Sequence, residues 1–166
     1  MGFAILDPKE IPCTLEATFD TPDTEQKAVK GLIDIKGEPT EVVAISMGNP
    51  HCVTFVEDIE KVPLAEIGPL FESHEIFPQK CNTEFVEVVS RSELKMLVWE
   101  RGAGATLACG TGTCALALAS YITGKSDKKV LVHLPGGDLE IEIEVIDGKY
   151  KIWMTGAADF VFSGNA

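Results

Sequence analysis

The glycine-rich segment at 100–114 carries the residues of this sequence best suited to chemistry. It reads ERGAGATLACGTGTC and places Cys109 ahead of an apolar run, 114–122, that favours a helix. A helix N-terminus presents unpaired backbone N–H groups and the positive end of the helix dipole. There the pKa of a cysteine thiol can fall from about 8.5 to roughly 3.5–7.5, which makes the thiolate available near neutral pH. We therefore expect a reactive thiol beside a loop able to bind a carboxylate.

A buried structural cysteine is the alternative interpretation of Cys109, since free cysteine is among the most buried residue types. Cys114 fits that description, because it lies inside the apolar run. Cys109 differs in having three nearby glycines, Gly104, Gly110 and Gly112. Glycine costs stability unless the backbone adopts positive φ or approaches another group closely. The residues alone leave both interpretations open.

Polar side chains in two further segments suit an amino-acid ligand. In 45–56, two strand-like runs flank a Gly-Asn-Pro turn, so Asn49 and His51 are predicted to project from one rim. In 80–89, Asn82 begins an alternating strand, and an asparagine offers a ligand both a donor and an acceptor. An ordinary turn asparagine and a buried, hydrogen-bonded histidine are the alternatives for Asn49 and His51.

Glu100 and Arg101 complete the set of candidate polar residues, where a predicted strand leads into the glycine loop. Arginine can hold a carboxylate through two parallel hydrogen bonds, and glutamate can pair with an ammonium group. A solvated strand end is the alternative for these adjacent charges. Their position next to a candidate reactive thiol favours ligand binding.

Mostly strands must position these side chains, because alternation and turn residues predominate along the chain. The predicted strands are 15–19, 28–35, 42–46, 51–56, 83–90, 93–100, 130–133, 139–146, 149–155 and 159–163. Two helices are predicted, at 63–72 and 111–123. The second is apolar on nearly every side and must be enclosed. We expect one domain, 1–166, with an α+β fold in which a curved, barrel-like, antiparallel-rich mixed sheet surrounds this helix.

Composition and charge disfavour several classes of protein. Of the 166 residues 45% are apolar, which suffices for one core, and no apolar run approaches the ~18 residues of a membrane span. The net charge of −12 disfavours nucleic acid and anionic membranes as partners. Five cysteines without paired spacing disfavour a disulfide framework and a metal site. They predict a reducing compartment, the cytoplasm.

The motifs resemble those of the diaminopimelate epimerase family, in the same order and over essentially the whole chain. The matching segments are MGNPHCV at 47–53, FP-x-x-x-N at 77–82, ERGAGATLACGTGTCA at 100–115, LPGG at 134–137 and MTG at 154–156. The resemblance implies an isomerase without cofactor that interconverts LL- and meso-diaminopimelate in lysine and cell-wall biosynthesis. Many bacterial members have glutamate at position 105. With Ala105 at that position, this motif resembles the plant and cyanobacterial type of the enzyme. A plant origin would place the protein in the plastid stroma.

The resemblance also implies roles for the candidate residues. Two cysteines of the family face opposite sides of the substrate α-carbon, and Cys109 matches the second of them. His51 and Glu100 match catalytic residues near the thiols. The residues that match substrate-binding positions are Asn49, Asn82, Glu100, Arg101, Gly110 and Thr111.

Only the second of the family's two pseudo-symmetric halves is matched. The first half carries the other catalytic cysteine in a Cys-Gly-x-Gly loop, and this sequence has no second loop of that kind. Its opening resembles the family's mid-chain junction, so we expect a fragment or isolated domain that is inactive without the N-terminal half. The segment 156–166 could be a strand belonging to that half. A second copy of the chain, in a homodimer, is another source of the missing groups.

Two other functions stay open. A non-catalytic amino-acid-binding or assembly module of the same fold would bind without turnover. An acyl-transfer enzyme would use Cys109 as nucleophile with His51, and would form a covalent adduct.

Overall fold

Alternating apolar and polar residues produce a mixed sheet of eleven strands in this computed structural model, which describes residues 1–158 and 163–164. The strands are β1 (Gly2–Phe3), β2 (Ala17–Asp20), β3 (Lys27–Ile35), β4 (Glu38–Ser46), β5 (Pro50–Val56), β6 (Asn82–Ser90), β7 (Glu93–Glu100), β8 (Gly104–Thr106), β9 (Lys129–Leu134), β10 (Gly137–Ile146) and β11 (Lys149–Gly156). The helices are α1 (Leu64–Glu72) and α2 (Gly110–Ile122), and a 3-10 turn covers Ile59–Lys61.

The sheet is open but strongly curved. Its strand order is β1-β11-β10-β9-β7-β6-β5-β4-β3-β2, and β8 pairs with β7 off this path. The pairs β5–β6 and β7–β9 are parallel, and the other pairs are antiparallel. An isolated bridge between Ile5 and Ser46 connects the chain after β1 to the end of β4. Opposite regions of the sheet therefore meet, which confirms the predicted barrel-like curvature.

α2 lies inside this curve and forms the centre of the larger core. Every residue from 112 to 120 is buried, and the helix contacts β4, β5, β6, β9, β10 and β11. Leu116 and Leu118 are fully buried, and each such burial stabilises the fold by roughly 1.5–3 kcal/mol. A helix without a polar face has no stable place on a surface, which is why the predicted enclosure is observed.

α1 covers a second, smaller core on the other side of the sheet. The rings of Phe71 and Phe85 pack edge to face there, with centroids 5.3 Å apart. Gly68 brings the helix onto β7, because a Cβ at this position would lie 2.5 Å from the Trp99 indole. α1 therefore supports the strand that ends at Glu100.

Most predicted elements are confirmed, with differences of a few residues at their ends. β1, β8 and the 3-10 turn were not predicted, because two or three residues are too few to show alternation. The strand predicted at 159–163 lies outside the described residues, except for Ser163. Within 1–158 and 163–164, no helix is long and apolar enough to cross a membrane.

One histidine outside the glycine loop couples the stability of the fold to pH. Nε2 of His133 lies 2.7 Å from Oε1 of Glu93, and its Nδ1 lies 2.8 Å from Oδ1 of Asp138. These hydrogen bonds, first to Glu93 and then to Asp138, raise the pKa of His133. Protonated His133 therefore stabilises the fold below the unfolded-state pKa, and this contribution is lost as the pH rises through the folded-state pKa.

We predict that His133→Gln lowers the free energy of unfolding by up to about 1 kcal/mol near pH ~5.5, a value limited by solvent screening of this partly exposed cluster. The difference from wild type should shrink towards pH ~9, as urea unfolding at both pH values would measure. Glu140→Gln is the control, because this carboxylate pairs with Lys129 at 2.9 Å and not with the histidine. A difference independent of pH would contradict the assignment.

Candidate active site

Cys109 is the N-cap residue of α2 and has an extended backbone, with φ −140° and ψ 104°. Its carbonyl accepts the first helical hydrogen bond, from the N–H of Thr113 at 2.8 Å. The N–H groups of Gly110, Thr111 and Gly112 precede that bond, at the N-terminus of the helix. The N–H of Gly112 donates to the Cys109 sulfur, and Oγ1 of Thr111 lies 3.6 Å from it. The sulfur thus lies where the sequence pattern predicts it.

Burial and the helix N-terminus have opposite effects on the pKa of this thiol. Cys109 is 7% exposed, and the loss of solvent is the main reason that its pKa is raised to about 11. Hydrogen bonds from Gly112 and Thr111 lower the pKa, whereas the charges of Glu84 and Glu100 raise it. The lowering effect that a helix N-terminus can have on a thiol pKa is therefore outweighed here by desolvation. Cys109 rests as a thiol at neutral pH.

Two of the three glycines near Cys109 meet a specific structural requirement. A Cβ at Gly112 would lie 2.4 Å from Oε1 of Glu84 and 3.2 Å from the Cys109 sulfur, so this position requires a hydrogen. Gly104 has a φ of +79°, in the left-handed region that favours glycine. At Gly110 a Cβ would meet only the flexible end of Met154, at 3.4 Å.

The other cysteines lie in environments unlike that of Cys109. Cys13, Cys52 and Cys81 belong to the core beneath α1, and all five cysteines are free and buried. Cys114 lies on α2 with its side chain buried in the larger core, and this burial raises its pKa to about 12. Cys109 is therefore the thiol at the edge of the larger core, next to the open N–H groups. Among the described residues, no group of three or more His, Cys, Asp or Glu side chains could hold a metal ion.

His51 is fully buried on β5, and both of its ring nitrogens are engaged. Nδ1 lies 2.7 Å from Oε1 of Glu84, and Nε2 lies 3.1 Å from Oδ1 of Asn49. Asn49 in turn donates through Nδ2 to Oγ1 of Thr111 at 3.4 Å. These contacts connect the Gly-Asn-Pro turn to the first turn of α2. The structure thus brings Asn49, His51, Thr111 and Cys109 together.

Glu84 is the residue of this network that the sequence analysis missed. It is fully buried on β6, beside Val53 of the parallel strand β5. Residues 82–86 are all buried, a pattern typical of a strand covered on both faces. The available signal was one acidic residue inside an otherwise enclosed strand, because a buried charge is costly unless it is paired.

Asn82 fixes the turn that carries Arg101. Its Oδ1 accepts a hydrogen bond from the backbone N–H of Arg101 at 2.9 Å, and its Nδ2 donates to the carbonyl of Pro50 at 3.3 Å. Both groups of this buried amide are therefore used within the protein. The guanidinium of Arg101 lies at the surface and donates to the carbonyl of Gln79 at 3.0 Å.

Glu72, at the end of α1, supports the same turn from below. It accepts hydrogen bonds from Nε1 of Trp99 at 2.8 Å and from the N–H of Gly102 at 3.2 Å. The first of these is the main reason that the pKa of Glu72 is lowered. Glu100, between the two donors, accepts a hydrogen bond from the Thr106 hydroxyl at 2.5 Å. The backbone around Glu100 and Arg101 is thus fixed from two sides.

The sequence of this chain is similar to those of diaminopimelate epimerases. Residues 43–161 match the sequence profile of the family described as diaminopimelate epimerase. A diaminopimelate epimerase of Synechococcus elongatus is 56% identical over 165 residues, which are 99% of this chain and 56% of the relative. A chloroplastic diaminopimelate epimerase of Oryza sativa subsp. japonica is 50% identical over 172 residues, 100% of this chain and 47% of the relative. The chain spans about half the length of the curated relatives it matches.

Solved structures share the fold at much lower identity. A hydroxyproline epimerase of Agrobacterium vitis with bound trans-4-OH-L-proline gives a TM-score of 0.56 at 13% identity, over 74% of this chain and 44% of that one. A phenazine biosynthesis protein of the PhzF family from Bacillus anthracis gives 0.51 at 21% identity, over 75% and 39%. These likenesses concern the fold alone, and they confirm the predicted α+β class.

We predict that Gly112→Ala destabilises the chain by about 1–3 kcal/mol, the usual cost of overpacking, because the new methyl group would overlap Glu84. Gly110→Ala is the matched control, since it lies two residues earlier in the same helical turn and meets only a flexible methionine. Urea unfolding of both variants measures the difference. Equal stability of the two variants would show that the close approach at Gly112 is not required.

Proposed function

Because the chain belongs to the diaminopimelate epimerase family, we propose that it supplies one half of the active site of a cofactor-independent epimerase. The substrate is diaminopimelate, which the enzyme interconverts between its LL and meso forms for lysine and cell-wall biosynthesis. The observation that carries the proposal is the Cys109 sulfur at the N-terminus of an enclosed helix, beside the N–H groups of Gly110 and Thr111, which precede the first helical hydrogen bond.

The proposed reaction removes one proton from the substrate α-carbon and adds another to the same carbon. A thiolate from the other half removes the α-proton from one face, and the Cys109 thiol delivers its proton to the opposite face. In the reverse direction the two sulfurs exchange roles. The resting thiol form of Cys109 suits the donor role, because a proton is already in place.

The N–H groups of Gly110 and Thr111 stabilise the charge that develops during this transfer. As the α-carbon loses its proton, negative charge moves onto the α-carboxylate. Donors fixed at a helix N-terminus need no reorganisation to meet that charge, which is preorganised electrostatic catalysis. Exclusion of water by the second half of the site would strengthen these contacts.

The other polar groups hold the substrate and orient its reacting end. Arg101 binds a carboxylate through its exposed guanidinium, and Glu100 pairs with an ammonium group. Asn49 reaches the substrate from the rim next to Thr111. Asn82 contributes mainly by fixing the Arg101 backbone, since both ends of its amide already have protein partners.

The missing thiol comes from a partner that carries the other half of the family's active site. A homodimer is the second possible source, and a binding or assembly module without turnover is the alternative function. An acyl-transfer role has less support, because both nitrogens of His51 are engaged by Glu84 and Asn49 rather than by the sulfur. The five free thiols favour a reducing compartment, the cytoplasm or a plastid stroma.

Exchange of the substrate α-hydrogen tests this proposal directly. The chain is incubated with diaminopimelate in D₂O, alone and with the N-terminal half of a full-length relative, and exchange is followed by NMR. We expect exchange only in the mixture, and a loss of about 10²- to 10⁴-fold in Cys109→Ala, the usual contribution of a proton-transferring side chain.

Cys13→Ala is the matched control, because this cysteine lies in the core beneath α1. It should retain exchange in the mixture. Exchange by the chain alone would instead favour the homodimer. No exchange in either case would leave the binding module, and an acyl adduct on Cys109 in mass spectrometry would identify the acyl-transfer enzyme.

A further inference from the structure

Glu84 approaches Cys109 from beneath the first turn of α2. Oε1 of Glu84 and the Cys109 sulfur lie 2.4 Å and 3.2 Å from the same point, the position that a Cβ on Gly112 would occupy. Only the hydrogen of a glycine therefore stands between the carboxyl group and the thiol. Both side chains are removed from water, since Glu84 is fully buried and Cys109 is 7% exposed.

The carboxyl group of Glu84 is only half satisfied by its neighbours. Oε1 lies 2.7 Å from Nδ1 of His51. Oε2 is buried and has no hydrogen-bond partner within the described part of the chain. Leaving a buried acceptor unpaired costs about 1–3 kcal/mol, so a residue retained in this state needs a reason beyond stability. Its position next to the candidate reactive sulfur supplies one.

We propose that Glu84 is a positioning residue whose buried carboxyl group, set against the Cys109 sulfur, adds to burial in disfavouring the thiolate, so that this half of the site begins turnover as the proton donor. The inference rests on the proposed two-thiol reaction. A negative charge in a buried site disfavours a second negative charge on the neighbouring sulfur, and the low dielectric strengthens this repulsion.

Within the part of the chain that the structure describes, few other titratable groups affect the protonation of the Cys109 thiol. Glu100 on β7 also raises the pKa of the thiol, and Cys114 lies on the same helix. His51 on β5 meets the Glu84 carboxyl group at Oε1. The backbone N–H of Gly112 and the Thr111 hydroxyl favour the thiolate. Among the described residues, two carboxyl groups oppose thiolate formation at Cys109, and Glu84 is the one that is fully buried.

The proton transfer balances with Glu84 unchanged. The S–H bond of Cys109 breaks as the proton forms a C–H bond at the α-carbon, and the electron pair of S–H stays on sulfur. The resulting thiolate lies next to Glu84, which makes it a stronger base. In the reverse direction this thiolate recovers a proton from the α-carbon more readily. The same charge makes the Cys109 thiol a weaker acid, so Glu84 favours the protonated sulfur at rest and proton removal by the thiolate, rather than proton delivery.

Glu84→Gln tests the inference in the chain alone, without substrate. The glutamine keeps an oxygen acceptor for His51 and removes the charge. We expect the titration midpoint of Cys109 to fall by about one pH unit, which corresponds to about tenfold more thiolate at any pH below the midpoint. The ultraviolet absorbance of the thiolate reports this, as the difference between each protein and its Cys109→Ser counterpart.

Site-specific alkylation of Cys109 by iodoacetamide, mapped by mass spectrometry, should accelerate about tenfold at the same pH. Glu142→Gln is the control, because Glu142 is an exposed carboxylate on β10, and its removal should leave both readouts unchanged. Cooperative urea unfolding establishes that each variant is folded. An unchanged midpoint in folded Glu84→Gln overturns the inference.

If Glu84→Gln does not fold, Glu84→Asp is measured instead. It keeps the charge but retracts it by one methylene, so the midpoint should fall by a smaller amount, and an unchanged midpoint again overturns the inference. Neither result depends on turnover. Failure of this test therefore leaves the α-hydrogen exchange experiment, and the function it concerns, to stand or fall separately.

Discussion

The burial of α2 is the constraint on which the rest of the structure depends. A helix with apolar residues on every side must be surrounded, and here six strands of one curved sheet surround it. The first turn of this helix lies at the edge of the larger core. The glycine loop delivers Cys109 to that edge, and the Gly-Asn-Pro turn contacts it through Thr111. The position of Cys109 is thus a consequence of where an enclosed helix starts.

The same enclosure creates a conflict at the sulfur. An open helix N-terminus favours a thiolate, but removal of water and two neighbouring carboxylates favour a thiol. In this chain the second group of effects is larger. The proposed two-thiol reaction needs one sulfur of each kind, so a protonated Cys109 is compatible with that proposal. Under the proposed function, the helix N-terminus acts mainly on the substrate carboxylate rather than on the sulfur.

Sequence patterns predicted the scaffold better than the site. Alternation and turn residues located nearly all strands of four residues or more in the described part of the chain, and the apolar run at 114–122 predicted the enclosed helix. The glycine spacing also located Cys109 correctly. The direction of its pKa was beyond such reasoning, because burial depends on which strands surround the loop. Glu84 was missed for a related reason: residues 80–89 were interpreted as an alternating strand, and only the fold shows that 82–86 are buried on both faces.

The bridge between Ile5 and Ser46 bears on how this chain folds. Residues 2–5 lie between β11 and β4, so they join segments that are far apart in sequence, and the Met1 amino group also donates to the carbonyl of Ile152 at 3.0 Å. Contacts across about 150 residues are costly in chain entropy and form slowly. The same segment carries Ala4 and Leu6, which are buried in the larger core together with the residues of α2. This segment therefore joins the β11 side of the sheet to β4 and adds to the enclosure of α2.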